Sequence, residues 1–286
     1  MVFELGKKQT SMMKKTVSPE RLTVAIQLKN QPPKWIYNSL LLITIVLLVI
    51  YSFTGVAFSP ERMANFWPSL KTMINGFIHP NTDFLFGLDD ASVPYLTLQT
   101  IGIAFAGTII AAILALPIGF LSARNVTGKA SKAGEVVLIA IRTFPEIILA
   151  LVLIRIFGPG ALTGTLTIGI HSIGMLGKLF AESIENMDRG PIEALDAVGA
   201  NLWQKIKYGI LPQVLPDFMS ITLYRFDINV RSATILGVVS AGGLGTPLIF
   251  ATREWNWSTL SSIMIAIIIM VVTVDLISSK LRSKLV

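Results

Sequence analysis

Apolar positions along this chain gather into six blocks separated by polar segments, and each block is longer than the buried face of a soluble helix requires. A helix that crosses a bilayer needs about 20 mostly apolar residues. No Asp, Glu, Lys or Arg occurs between Lys34 and Glu61, between Asp90 and Arg124, between Arg155 and Lys178, or between Glu254 and Asp275. These windows predict spans at 36–53, 96–123, 163–180 and 259–274. Two further blocks, 136–157 and 215–239, are apolar overall but enclose charges. The first holds Arg142, Glu146 and Arg155; the second holds Arg225, Asp227 and Arg231. The expectation is an all-α polytopic membrane protein with six transmembrane helices. On this reading 1–34 is a basic N-terminal segment and 35–286 a six-span domain, with a polar loop at 185–214 between spans four and five.

Composition supports the class. The chain is 52% hydrophobic and 14% charged, whereas soluble domains carry about 25% charged residues. There is no cysteine, which excludes disulfides, thiolate metal sites and thiol catalysis. Two histidines are too few for a histidine-built metal site. The net charge of +7 would suit nucleic acid, but its distribution describes topology instead. With the N-terminus inside, the inner segments hold 17 Lys and Arg and the outer segments 3. Basic residues stay on the cytoplasmic side, so both termini are expected there. Span one reads as an uncleaved anchor, because its basic leader is far longer than a signal peptide allows, although Gly55-Val56-Ala57 offers a weak cleavage site. Trp67, Trp255 and Trp257 fall in outer segments and suit an interfacial aromatic belt. No G-x-x-x-x-G-K-[ST] phosphate loop occurs. If ATP drives this protein, another chain binds it.

The loop is patterned rather than random. Pro191 sits where a helix can begin without losing a backbone bond. Ile192, Leu195 and Val198 then fall on one face, and Gly199 can adopt the left-handed conformation that ends a helix. Asn201 followed by Gln204 forms a capping-box pattern for a second short helix over 202–210, which Pro212 and Pro216 would stop while starting the next span. The product is a helical elbow at the inner membrane face, either an ordinary amphipathic connector or a lever.

Glu193-Ala194-Leu195, three residues, Gly199, nine residues, then Gly209-Ile210-Leu211-Pro212 resembles the EAA loop of ABC importer permeases, whose pattern is Glu-Ala-Ala…Gly…Ile-x-Leu-Pro. Here Leu195 replaces the second alanine and Gly209 stands where isoleucine is usual. Across 142–245, RTFPEIILALVL, IHSIGMLGKLFAESIE and NVRSATILGVVSAGGLG resemble the phosphonate-importer permeases. The resemblance implies a type I importer permease fold in a prokaryotic plasma membrane, with Glu193, Ala194, Gly199, Leu211 and Pro212 as ATPase-coupling positions. It further implies a separate ATPase, in two copies, that binds ATP and Mg; an extracytoplasmic phosphonate-binding protein; and a second permease copy completing the path. No cofactor of this chain's own and no nucleic-acid partner is expected.

The charges inside the spans remain open to two readings. At 100° per residue Asp227 and Arg231 are neighbours on one helix face with Tyr224 and Thr234, while Arg225, Asn229 and Ser232 form a nearly opposite stripe. Intramembrane charges face partners or cavities, so this helix is expected to be surrounded by protein or water. Either Asp227 and Arg231 lock helix packing, or one stripe lines a path and offers an anion positive field. Arg142 and Glu146 repeat the i, i+4 arrangement around Pro145, which allows a bend. In span four, Gly164, Gly169, Gly174 and Gly177 suit close helix approach, and His171 is either a packing residue or a proton relay. Gly242, Gly243 and Gly245 permit a sharp turn on the outer side, as a plain loop or as a gate.

Two functions compete. One is the permease subunit of an ATP-driven importer of phosphonates or related phosphorus oxyanions, not itself an enzyme. The other is an ion-gradient-driven secondary transporter of an anionic solute, with Asp227, Glu146 and His171 as relay groups. Inverted repeats common in such transporters are not seen. A membrane-embedded enzyme finds no His-rich motif and no positioned serine–base pair to support it.

Overall fold

A computed structural model describes residues 34–54 and 65–285. The basic segment 1–33 and the small-residue stretch Gly55-Val56-Ala57 lie outside the described residues. The chain divides after Trp67 into two units. The first contributes α1, Lys34–Thr54, 21 residues long and apolar enough to cross a membrane.

From the end of the first unit onward, the described secondary-structure elements are all helices. Helix α2 (Phe66–Ile78) and the short α3 (Thr82–Phe86) precede α4, Val93–Ser122, which is entered through Ser92 and Pro94. Pro94 falls in the first turn, where its missing N–H removes no helical bond. Then follow α5 (Ser131–Thr143), α6 (Glu146–Phe157) and α7 (Ala161–Asn186). An elbow contains α8 (Gly190–Ala197) and α9 (Leu202–Gln204), and a further short helix, α11 (Gly245–Arg253), follows later in the chain. Two long helices complete the unit, α10 (Leu211–Gly237) and α12 (Trp257–Arg282). Helices α1, α4 and α12 have the length and apolarity of membrane spans, and α5 with α6 makes a fourth candidate as a bent pair. Helices α7 and α10 are 26 and 27 residues long, about 40 Å each, but carry more polar side chains. Each of the six expected segments falls on a helix or helix pair.

The segment expected as one continuous span over 136–157 is broken. Helix α5 stops at Thr143, Phe144 and Pro145 are extended, and α6 restarts at Glu146 with a bend of 82°. Pro145 has no N–H to donate, and its ring disfavours helical backbone at Phe144. Arg142 and Glu146 therefore sit on different helices and are not i, i+4 neighbours.

Packing is organised around α4, α7 and α10. Gly107 of α4 faces α7 so closely that a Cβ there would lie 2.8 Å from Ile168 Cγ2. Small residues let membrane helices approach in this way. Two apolar clusters result. One gathers Ile103, Ile168, Val230, Leu236 and Leu244 with Ile263 and Met270 of α12. The other gathers Ala115, Leu176, Phe180, Ile184, Val214 and Phe218. In the second cluster the rings of Phe180 and Phe218 stack at 4.2 Å. The polar residues Thr108, Ser172, Arg225 and Asn229 interrupt the apolar sequence of α4, α7 and α10 between the members of these clusters, and all four are buried.

Candidate functional site

The elbow and the polar layer are the two places where this helical unit holds chemistry. In the elbow, Gly199 has φ +77°, and the N–H groups of Gly199 and Ala200 donate to the carbonyls of Asp196 and Leu195 at 3.0 and 2.9 Å. The capping box is complete: Asn201 Oδ1 accepts from Gln204 N at 2.9 Å, and Gln204 Oε1 accepts from Asn201 N at 2.8 Å. Lys205 bridges to Asp196, joining the two legs of the turn.

The second leg differs from the expected helix over 202–210. After α9 the backbone widens into a π turn at Lys205–Ile210 and runs without interruption into α10. Pro212 cannot donate to the Tyr208 carbonyl four residues back, as an α register would require. The wider register avoids this mismatch, and Leu211 N–H donates to the Ile206 carbonyl instead. Pro212 falls in the first turn of α10, as expected where a span starts, and Pro216 lies inside it, but neither interrupts the helical run.

Glu193, Ala194 and Gly199 are exposed on the elbow, while Leu211 is half-buried and Pro212 exposed in the first turn of α10. Ile192 and Leu195 turn inward. Val198 does not join them: α8 ends at Ala197, and Val198 is 79% exposed. With Leu202, Trp203 and Tyr208, Val198 gives the elbow an exposed apolar surface. Gly209 is buried beneath α8, where a Cβ would lie 3.0 Å from Leu195 Cδ1 and 3.5 Å from Ile192 Cγ1. The two departures from the EAA pattern thus meet in space. A larger residue at 195 occupies the room left by a missing side chain at 209. Behind the elbow lies a cleft of about 380 Å³, reached by Asn125, Arg189, Glu193 and Lys205. The elbow's roots are tied to the spans: Glu185 Oε1 accepts from Arg124 N at 2.7 Å, and Asn125 Nδ2 donates to the Ile184 carbonyl at 2.7 Å.

In the polar layer, Arg225 Nε donates to Ser172 Oγ at 3.0 Å, and Ser172 donates to Asn229 Oδ1 at 3.1 Å. Asn229 Nδ2 donates to Thr108 Oγ1 at 2.8 Å, and Thr108 donates to the Ala104 carbonyl at 2.6 Å. These hydrogen bonds run unbroken from Arg225 to the Ala104 carbonyl, so α10, α7 and α4 are joined by an ordered network in their interior. Satisfied buried networks of this kind specify packing. Arg225 and Asn229 therefore contribute to the helix core, Arg225 being 6% exposed and Asn229 fully buried. Asp227 and Arg231 do pair, at 2.5 Å, with the Asp227 side chain 5% exposed and that of Arg231 51%.

Glu146, at the restart after the break, accepts from Ser232 Oγ at 3.0 Å through Oε2. Its Oε1 is buried without a partner among the described residues, as are His171 Nδ1 and Asp227 Oδ1. Arg142 crosses Gly174 of α7, its Cγ lying 2.5 Å from where a Cβ would stand. In the turn that follows α10, Gly242 and Gly243 have φ +90° and +73°. Gly243 N donates to Gln99 Oε1 and Leu244 N to Thr100 Oγ1, both at 2.9 Å. A Cβ on Gly245 would lie 2.1 Å from the Thr234 carbonyl oxygen. This turn is thus fastened to α4 and α10 rather than loose. Sequence reasoning passed over Ser172 and Thr108. The available signal was Ser172 beside His171 in α7, but Ser and Thr in membrane helices are commonplace and carry little information singly.

A bundle of long apolar helices with a buried polar layer and an exposed helical elbow is the architecture of a multi-pass membrane protein. Residues 115–283 match the family described as binding-protein-dependent transport system inner membrane component, and the chain belongs to that family; it is a multi-pass protein of the prokaryotic inner membrane. Among its relatives, the phosphite transport system permease protein PtxC of Stutzerimonas stutzeri is 39% identical over 187 residues, covering 65% of this chain and 68% of that protein. The phosphate-import permease protein PhnE of Mycolicibacterium smegmatis is 37% identical over 211 residues, 73% of this chain and 39% of that protein. A putative cryptic phosphonate transport system permease, PhnE2 of Escherichia coli K12, is 44% identical over 117 residues, 41% of this chain and 96% of that protein. In fold the chain is similar to the inward-facing MetNI methionine ABC transporter, with a TM-score of 0.60 at 19% identity over 66% of this chain and 94% of that chain.

Proposed function

We propose that this chain is the permease subunit of an ATP-driven importer of phosphonates or related phosphorus oxyanions. The elbow supports the reading most directly: a braced helical turn that presents Glu193 and an apolar surface to the cytosol, within the region matched by the family. Glu193, Ala194, Gly199, Leu211 and Pro212 are the positions through which a separate ATPase, carrying ATP and Mg, moves the spans. Two ATPase copies serve two permease copies, and a binding protein delivers the substrate outside. The Gly242, Gly243 and Gly245 turn forms the outer lip of the path. The substrate class rests on the phosphite, phosphate and phosphonate permeases among the relatives.

The test is reconstitution of the permease with its ATPase and binding protein in proteoliposomes. Hydrolysis of ATP stimulated by phosphite or methylphosphonate, with uptake of the same anion, is the expected result. Uptake that a protonophore abolishes while ATP remains intact would instead establish a secondary transporter.

A further inference from the structure

We propose that the break between α5 and α6 holds an oxyanion site, formed by Arg142, His171, Ser232 and Glu146, that prefers anions still carrying a P–OH proton. It rests on the reading above that a phosphorus oxyanion crosses this protein, and assigns that anion a place and a basis for selection. The backbone turns by 82° at Phe144-Pro145, which brings the end of α5 and the start of α6 against α7 and α10. Arg142 lies over Gly174, one turn beyond His171 on α7. Glu146 acts electrostatically on both His171 and Arg225, and Arg142 acts on His171. His171 thus has two arginines and one carboxylate in its surroundings, and neither arginine is in an ion pair among the described residues. The surplus positive field favours an anion.

The unfilled hydrogen-bonding positions define the ligand further. Ser232 fixes one oxygen of Glu146, while Oε1 is buried and unpartnered, as is His171 Nδ1. Buried polar atoms without partners are rare and call for a specific cause. A carboxylate oxygen is an acceptor only, so its missing partner must bring a proton. A phosphonate or phosphite monoanion has one P–OH to donate to Glu146 and charged oxygens for Arg142 and for a His171 Nδ1–H. Sulfate at neutral pH has no proton to give and meets the carboxylate as a like charge. Glu146 therefore selects by protonation rather than by size, and Ser232 positions it.

The experiment uses the assembled permease–ATPase complex in lipid nanodiscs, without binding protein, and follows line broadening of methylphosphonate by phosphorus NMR with sulfate as competitor. In the wild type, methylphosphonate binds and sulfate displaces it poorly. Glu146→Gln removes the like charge and should lower the preference for methylphosphonate over sulfate at least about tenfold, the scale of one charge-assisted hydrogen bond. Ser232→Ala should shift the preference in the same direction by less, and Arg142→Ala should weaken both anions alike. Sulfate competing equally in the wild type, no methylphosphonate binding, or an unchanged preference in both Glu146→Gln and Ser232→Ala overturns the site. ATP-driven uptake of methylphosphonate by the full importer alongside any of those results leaves the proposed function standing. Absence of uptake of every phosphorus oxyanion removes that function, and this site with it.

Discussion

The contact between Leu195 and Gly209 makes a quantitative prediction about the elbow. Replacing Gly209 with isoleucine, the residue usual in the EAA pattern, puts a Cβ 3.0 Å from Leu195 Cδ1, and the γ-carbons reach further. Overpacking of this kind costs about 1–3 kcal/mol. Exchanging glycine for isoleucine within a helix returns about 0.5 kcal/mol, leaving a net loss of about 0.5–2.5 kcal/mol. Leu195→Ala alone removes a half-buried side chain, worth about 1 kcal/mol at half the full transfer value. Together the two changes exchange one filling for another, because the isoleucine occupies the space the leucine leaves. The singles should therefore be coupled by about 1–2 kcal/mol.

Hydrogen exchange on the elbow amides reads this directly, since local opening sets their protection. The Gly209 substitution should speed exchange across 195–210 by about 2- to 70-fold and Leu195→Ala by about fivefold, and the double substitution should restore it to within about twofold of wild type. Copurification of the ATPase should follow the same order. If the double substitution exchanges at the product of the two single effects, the side chains at 195 and 209 do not compensate each other, and the two departures from the pattern are unrelated.

Three further outcomes are expected. Glu193→Lys should leave the permease inserted but abolish substrate-stimulated ATP hydrolysis by the assembled complex; normal hydrolysis would remove Glu193 from the coupling surface. Asn201→Ala deletes the cap that closes on Gln204 and should destabilise the second leg by about 1 kcal/mol, visible as faster exchange at 203–205 with the spans unaffected. Arg231→Ala leaves the buried Asp227 carboxylate without its partner and should destabilise the helix bundle by about 2–3 kcal/mol, below the full buried-pair penalty because Arg231 is half-exposed. A thermal unfolding assay should show Asp227→Ala restoring most of that loss in the double variant. A stable but transport-deficient Arg231→Ala would instead place the arginine on the path.

Local chemistry was the legible part of the elbow. Pro191 opens α8, Gly199 takes the left-handed region and Asn201 with Gln204 closes the box, because each signal acts within four residues. The π turn was not legible, since it reflects the contest between two prolines and a helix that tertiary packing keeps intact. Val198 was misplaced because a hydrophobic period says nothing about where a helix stops. In the bundle, the charge windows located the long helices. Yet the i, i+4 spacing of Arg142 and Glu146 misled, because spacing has meaning only within an unbroken helix and Pro145 divides this one. The network from Arg225 to Thr108 joins residues 53 to 121 positions apart. Such pairings depend on which helices meet, which a single chain's local pattern does not encode.

The polar layer and the elbow are connected by one element. Helix α10 begins where the π turn ends and carries Arg225, Asp227, Asn229, Arg231 and Ser232 along its length. Helices have two natural ways to absorb a push at one end, bending at a weak point or moving as a unit. The prolines of α10 lie at positions 212 and 216, near the elbow, so compliance is concentrated there, and the remaining turns, about six, are free of both proline and interior glycine. Those turns are joined to α7 and α4 by the Ser172–Asn229–Thr108 hydrogen bonds and to α6 by Ser232 and Glu146. On the proposed reading, a displacement at residue 193 would travel along α10 and reach the break at residue 146 most directly through the Ser232–Glu146 hydrogen bond. On this logic Ser232 is the narrowest point in the transmission, and its removal should uncouple hydrolysis from transport more than it weakens the fold.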